Sequence, residues 1–163
     1  MSQRQRFTGK TALITGGGTG IGAAIAQQFA SEGATVALCG RRSDVIQQKV
    51  DELTTAGYKA IAVVGDVATD ATEIVQNALA ALGRLDILVN NAAISAGVPM
   101  EEMDNQLWRQ VLAVNLDGVF ALSTTPCPIW LRAKALLHIS TLAPSPVKWT
   151  IMPMRRAKRG WRA

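Results

Sequence analysis

Residues 15–22 read Thr-Gly-Gly-Gly-Thr-Gly-Ile-Gly, and this stretch decides the fold. Residues 11–14 before it, Thr-Ala-Leu-Ile, form an apolar and partly β-branched segment that is typical of a buried strand. After it, Ile21, Ile25 and Phe29 recur at the spacing of one helix face. The order strand, glycine turn, helix is the first half of a βαβ unit that binds a dinucleotide.

The glycines of this stretch have definite physical uses. They let the backbone turn tightly and approach a pyrophosphate closely, and they leave the N-terminus of a helix facing the negative charge. The alternative is an ordinary glycine turn, but the strand before it and the helix after it favour nucleotide binding. The residues predicted here to bind the cofactor are Gly16, Thr19, Gly20, Ile21 and Gly22.

The rest of the chain continues the alternation of strands and helices. Further strands are predicted over 34–39, 60–65, 85–89 and 136–141. Helices are predicted over 44–56, 70–82 and 103–122, with Gly57 and Gly83 ending the first two. The pattern predicts an α/β fold, a doubly wound parallel sheet of Rossmann type, with its ligand crevice at the carboxyl edge.

Two motifs together carry a resemblance to a known family. The glycine spacing is Gly-x-x-x-Gly-x-Gly, and Asn-Asn-Ala-Ala follows the fourth strand at 90–93. With Thr15 ahead of the glycines, the chain resembles the classical short-chain dehydrogenase/reductase family. The family has glycine where this chain has Ala93. The resemblance implies that Asn91 and Ala92 line the cofactor site, and that an acid after the third strand, here Asp66 beside Val67, contacts the adenine; Asp66 as a simple helix cap is the alternative.

The residue after the second strand bears on the choice of cofactor. An acid there would bond the ribose 2′-hydroxyl, whereas an arginine accommodates a 2′-phosphate. This chain has Gly40 followed by Arg41, which favours NADP(H) over NAD(H). A solvated arginine pair, Arg41 and Arg42, at the start of a helix is the alternative.

The predicted catalytic residues follow from the resemblance. Asn115, inside an apolar helix, is either a satisfied core polar group or a functional one; the family implies that it holds a water that steadies the catalytic lysine. The family's catalytic serine corresponds to Thr141, with Ser140 adjacent, although both could be a strand-end hydroxyl pair without chemistry. At the position of the family's Tyr-x-x-x-Lys, this chain has Met154 in place of the tyrosine, and then Lys158. A thioether cannot donate the proton that the phenol supplies.

The chain changes character near residue 124. Residues 1–123 carry a net charge of −3, whereas residues 124–163 carry +8 with no acidic residue and three of the four tryptophans. Read one base early, the codons for 148–163 permit V-D-N-Y-A-Y-A-A-S-K-A-G-V-A-G, which restores Tyr-x-x-x-Lys. A similar shift over about 125–132 permits a common ending of the family's preceding helix. We therefore expect a partial short-chain dehydrogenase domain over 1–142 and an atypical, out-of-frame basic tail over 143–163, the alternative being a divergent C-terminus.

Composition limits the other classes of function. No apolar run has membrane-spanning length, and no secretory signal is visible. Cys39 and Cys127 lack metal-like spacing. We therefore expect a cytoplasmic protein without a metal site or membrane partner.

Three functions remain open. The first is an oxidoreductase that moves hydride between NADPH and a small-molecule carbonyl or alcohol, for example a 3-oxoacyl, sugar or steroid ketone. The second is a catalytically dead cofactor-binding protein. The third, nucleic-acid binding through the basic tail, lacks a recognition motif and is not expected. The resemblance implies that full-length relatives form homo-oligomers, and the oligomeric state of this chain stays open.

Overall fold

A parallel sheet forms the centre of the computed structural model, which describes residues 5–125, 135–138 and 150–152. The strands are β1 Thr11–Thr15, β2 Thr35–Gly40, β3 Lys59–Val64, β4 Ile87–Asn90, β5 Ala135–His138 and β6 Thr150–Met152. Their order in the sheet is β3-β2-β1-β4-β5-β6, with every pair parallel except the last.

Helices connect the strands as the sequence predicts. The helices are α1 Gly20–Ser31, α2 Ser43–Thr55, α3 Ala71–Leu82, α4 Asn105–Leu112 and α5 Gly118–Thr124. Gly57 follows α2 with a φ of +86° and Gly83 follows α3 with a φ of +72°, and both lie in the left-handed region that glycine adopts without strain.

Two apolar clusters cover the two faces of the sheet. Along β1, the side chains of Ala12 and Ile14 join the cluster formed with α1 and α2, while Leu13 joins the cluster formed with α3 and α5. All three residues are completely buried. Because successive side chains of a strand point to opposite faces, this central strand is apolar throughout. The predicted doubly wound parallel sheet is therefore confirmed.

The register of the strands gathers four loops at one edge. Thr15 pairs with Cys39, Ile14 pairs with Val89, and the Gly40 carbonyl accepts a hydrogen bond from the Gly65 N–H at 3.2 Å. The loops that follow β1, β2, β3 and β4 therefore start side by side. This carboxyl edge is where open α/β sheets bind their ligands.

Two elements differ from what the sequence predicts. The helical pattern over 103–122 is confirmed over 105–124, but a π-helical turn, Ala113–Asp117, separates α4 from α5. The structure also contains a strand that the sequence does not predict, because β6 pairs with β5 in antiparallel orientation. The predicted final residues of the fifth strand, 139–141, lie outside the described residues.

Candidate functional site

A crevice opens at the carboxyl edge of the sheet. Its volume is about 290 Å³, close to the lower end of the range of about 300–1,000 Å³ for small-molecule sites. The loops after β1, β2, β3 and β4 all contribute to it. It is lined by Gly16, Gly18, Thr19, Gly40, Arg41, Arg42, Val45, Ile46, Gly65, Asp66, Val67, Asn91, Ala92, Ala93, Ile94 and Val114.

The glycine loop presents the N-terminus of α1 to this crevice. Gly16 and Gly20 have positive φ angles of +64° and +55°, which a residue with a side chain would adopt only with strain. Thr19 precedes the helix in an extended conformation, and its side chain makes no capping hydrogen bond. The N–H groups of the first turn have no acceptor within the helix. The loop therefore offers backbone donors and the positive end of a helix dipole, which suit an anion such as a pyrophosphate.

Close packing fixes the third glycine of the motif. A Cβ on Gly22 would lie 2.2 Å from the Gly16 carbonyl oxygen and 2.5 Å from Nδ2 of Asn91. Both distances are shorter than any real contact, so α1 can approach the loop this closely only with glycine at this position. The helix N-terminus is thereby held directly against the end of β1.

Thr15 and Asn91 connect the glycine loop to the loop after β4. The buried Thr15 Oγ1 accepts hydrogen bonds from the N–H groups of Asn91 and Ala92, each at 3.0 Å, and donates to the Val89 carbonyl at 3.2 Å. In return, Asn91 Nδ2 donates to the carbonyls of Thr15 at 2.9 Å and Gly16 at 3.2 Å. The two loops that form one wall of the crevice are therefore bonded to each other in both directions.

The loops after β2 and β3 form the opposite end of the crevice. Nη1 of Arg41 lies 3.6 Å from Oδ2 of Asp66. The other carboxylate oxygen of Asp66 accepts the N–H of Ala68 at 3.0 Å, so Asp66 closes a turn ahead of α3. The N-cap of α3 itself is Asp70, whose Oδ2 accepts the Asp66 N–H at 2.8 Å. This bond, together with one from the Thr69 hydroxyl, lowers the pKa of Asp70.

Asn115 lies in the π-helical turn and has a satisfied side chain. Its Oδ1 accepts the N–H of Ile94 at 2.9 Å, and its Nδ2 donates to the Ile94 carbonyl at 2.8 Å. The amide thus pairs with the backbone of a crevice residue as a neighbouring strand would. Of the two alternatives for Asn115, this geometry gives it a structural partner beside the crevice; a bound water at its position stays a prediction.

Cys39 is not a candidate nucleophile. Burial raises the pKa of its thiol to about 12, and the negative charges of Asp66 and Asp70 add to the effect. Such a thiol stays protonated at neutral pH. Among the residues that the structure describes, no three His, Cys, Asp or Glu side chains are grouped to hold a metal ion, and no helix has the length and apolar character needed to cross a membrane.

The predicted site residues other than Asn115 fall into three groups. The structure brings seven of them together as crevice lining: Gly16, Thr19, Arg41, Asp66, Val67, Asn91 and Ala92. Gly20, Ile21 and Gly22 form the first turn of α1. Ser140, Thr141 and Lys158 lie outside the described residues. Sequence reasoning missed several lining residues that belong to neighbouring turns and helices, namely Gly18, Arg42, Val45, Ile46, Ile94 and Val114.

Comparison with known proteins identifies the family. The model of the short chain dehydrogenase family matches residues 10–142. The chain therefore belongs to the short-chain dehydrogenase/reductase family, a family of oxidoreductases.

Three relatives illustrate the range of similar proteins. An uncharacterized oxidoreductase of Thermotoga maritima is 42% identical over 72% of this chain and 47% of its own length. The NADP-dependent (R)-specific alcohol dehydrogenase of Lentilactobacillus kefiri is 39% identical over 71% of this chain and 46% of its own. A solved 7α-hydroxysteroid dehydrogenase, in complex with NADH and 7-oxo glycochenodeoxycholic acid, has a TM-score of 0.77 and 33% identity, and the match covers 85% of this chain and 56% of that chain. The chain thus spans about half the length of the relatives it matches.

Proposed function

We propose that this chain binds a nicotinamide dinucleotide in the crevice and functions as an oxidoreductase. The reaction interconverts a small-molecule carbonyl and the corresponding alcohol, and NADP(H) is preferred to NAD(H). The observation that carries the proposal is the uncapped N-terminus of α1 in the same crevice as Arg41. The N-terminus of α1 offers backbone donors for a pyrophosphate, and Arg41 offers a cation at the adenosine end.

The binding roles follow from the positions of the residues. The glycine loop from Gly16 to Gly22 accepts the pyrophosphate, and the absence of side chains there suits a close backbone approach. Arg41 meets the ribose 2′-phosphate. Asp66 and Val67 lie beside the adenine. Asn91 and Ala92 line the wall that leads towards the nicotinamide.

The catalytic roles rest on family resemblance. NADPH, when bound, supplies the hydride that reduces the carbonyl carbon. The hydroxyl of Thr141, with Ser140 adjacent, bonds the substrate oxygen, and Lys158 holds the nicotinamide ribose. Asn115 supports the lysine through a water. The proton for the alkoxide has no donor at Met154, where the family has tyrosine.

A second candidate function is cofactor binding without catalysis. The position of Tyr58, the sole tyrosine of the chain, favours it. Tyr58 directly precedes β3 and packs, partly buried, against the cluster under α1 and α2. It lies at the amino end of β3, whereas Asp66 and the crevice lie at the carboxyl end of that strand. Six strand residues separate these two edges, which corresponds to about 20 Å. Tyr58 is therefore not a substitute proton donor.

One experiment with two readouts tests both candidates. NADPH is titrated against the full chain and followed by nucleotide fluorescence, and NADPH oxidation is then measured with a panel of ketones and aldehydes. Saturable binding with turnover supports the oxidoreductase, and saturable binding without turnover selects the second candidate. Absence of NADPH and NADH binding, in a chain that circular dichroism reports as folded, overturns both.

A further inference from the structure

The register of β2 and β3 brings a cation and an anion together at the adenosine end of the crevice. The end of each strand has a glycine followed by a charged residue: Gly40, the last residue of β2, precedes Arg41, and Gly65, directly after β3, precedes Asp66. Because the Gly65 N–H bonds the Gly40 carbonyl at 3.2 Å, the register brings the two charged residues close to each other. Their ion pair at 3.6 Å follows from this arrangement.

The two partners of this ion pair differ in freedom. Asp66 is fixed through its own backbone N–H, which is bonded to Asp70, and through its Oδ1, which accepts the Ala68 N–H. Its side chain is 31% exposed, whereas that of Arg41 is 59% exposed. Among the described residues, Asp66 is the ion-pair partner of Arg41. Asp66 is thus anchored by hydrogen bonds, whereas Arg41 is the more exposed partner.

We propose that Asp66 is a specificity-determining residue, which weakens the preference for a 2′-phosphorylated nucleotide by pairing with Arg41. This inference rests on the proposed function. A dianionic 2′-phosphate needs the donors of Arg41, for which the Asp66 carboxylate competes. Since hydrogen bonds anchor Asp66, its negative charge stays beside the bound phosphate and opposes it. A nucleotide with a free 2′-hydroxyl experiences neither effect.

The test is the ratio of the dissociation constants of NADH and NADPH, measured by equilibrium titration of the full chain. A contact between Asp66 and the adenine affects both nucleotides and cancels in this ratio. We expect Asp66→Asn, which keeps an oxygen for the Ala68 N–H, to raise the preference for NADPH about two- to fivefold, the range typical of an exposed ion pair. Glu73→Gln is the matched control: it removes one negative charge from the exposed surface of α3, and it should leave the ratio unchanged.

The origin of the effect is tested in the Arg41→Gln background. If the ion pair acts as proposed, Asp66→Asn changes the ratio less there than in the wild type. An unchanged or lowered preference for NADPH in Asp66→Asn overturns the inference, since Asp66 would then be neutral or would orient Arg41 for the phosphate. Asp66→Ser repeats the test if the asparagine variant does not fold. Wild-type protein that binds neither nucleotide overturns the proposed function as well as this inference, whereas binding with an unaltered ratio overturns this inference alone.

Discussion

The side chain of Asn91 donates a hydrogen bond to the Gly16 carbonyl at 3.2 Å, which ties the loop after β4 to the glycine loop after β1. The same carbonyl oxygen lies 2.2 Å from the position that a Cβ on Gly22 would take. The Gly16 carbonyl thus accepts a hydrogen bond from the loop after β4 and is also closely approached by α1. The shape of the crevice wall depends on this junction, and it can be tested from each side.

Gly22→Ala tests the helix side of the junction. The added methyl group would overlap the Gly16 carbonyl and the Asn91 amide, so α1 must move away. We expect a loss of about 1–3 kcal/mol in the free energy of unfolding, the usual cost of overpacking, and a loss of NADPH binding. Urea denaturation and nucleotide titration measure the two effects. The control Ala24→Ser adds one heavy atom at an exposed position of the same helix; equal losses in both variants would contradict the role of the junction.

Thr15→Val tests the loop side. Valine keeps the shape of threonine but removes the hydroxyl that accepts the N–H groups of Asn91 and Ala92. Since a buried donor without an acceptor costs about 1–3 kcal/mol, we expect destabilisation of ~2 kcal/mol and weaker nucleotide binding. Thr15→Ser retains the hydroxyl and should retain the binding. Chemical denaturation of the three proteins checks this, and a serine variant as unstable as the valine variant would exclude the hydrogen bonds as the cause.

Arg41→Gln tests the preference for NADP(H). Both Arg41 and Arg42 line the crevice, but only Arg41 directly follows the end of β2. A hydrogen bond from a cation to a phosphate is worth about 1.5–3 kcal/mol, so we expect NADPH to bind at least about tenfold more weakly and NADH to be little affected. Arg42→Gln removes the same charge one residue away and should have a smaller effect. The prediction fails if both nucleotides lose affinity equally in Arg41→Gln.

Asp86→Asn tests a contact remote from the crevice that holds the amino end of β1. The carboxylate of Asp86 accepts the Thr11 N–H at 3.0 Å and pairs with Arg84 and Lys10. Burial opposes ionisation, but the Arg84 and Thr11 hydrogen bonds and the charges of Arg84 and Lys10 outweigh it, so the pKa of Asp86 is lowered.

The lowered pKa fixes the direction of the pH dependence. The stabilisation is fully present above the unfolded-state pKa of about 3.9 and is lost as the pH falls through the lower folded-state value. We expect Asp86→Asn to cost about 1–2 kcal/mol at neutral pH and less below pH ~4. Urea denaturation across this pH range measures the difference. Asp51→Asn, on the exposed face of α2, should change stability little; a pH-independent cost in Asp86→Asn would be inconsistent with the carboxylate as its source.

The sequence predicts the sheet and the crevice well because both depend on local patterns. The apolar run of β1, the glycine stretch and the glycines after α2 and α3 carry their structural meaning within a few residues. The interruption around Asn115 could not be predicted, because it is accompanied by pairing with Ile94, a contact between segments distant in the chain. The ion pair of Arg41 with Asp66 had a signal, a glycine followed by a charged residue at the end of β2 and again directly after β3, but this signal could be interpreted only with the strand register.

The final prediction concerns the gene rather than a side chain. Residues 143–163 lack acidic residues, contain two tryptophans and have methionine where the family has its catalytic tyrosine. A single shift of reading frame accounts for all three features, because the shifted reading supplies Tyr-x-x-x-Lys in register with Thr141. Resequencing the DNA from codon 120 onwards should therefore reveal inserted or deleted bases.

A chain expressed from the restored frame should reduce carbonyl substrates with NADPH, because a phenol then stands beside the lysine that lowers its pKa. Changing the restored tyrosine to phenylalanine is the matched control and should abolish turnover while NADPH still binds. A DNA sequence that matches the present protein, together with carbonyl reduction by the chain as it stands, would refute the frame shift and require a different proton donor.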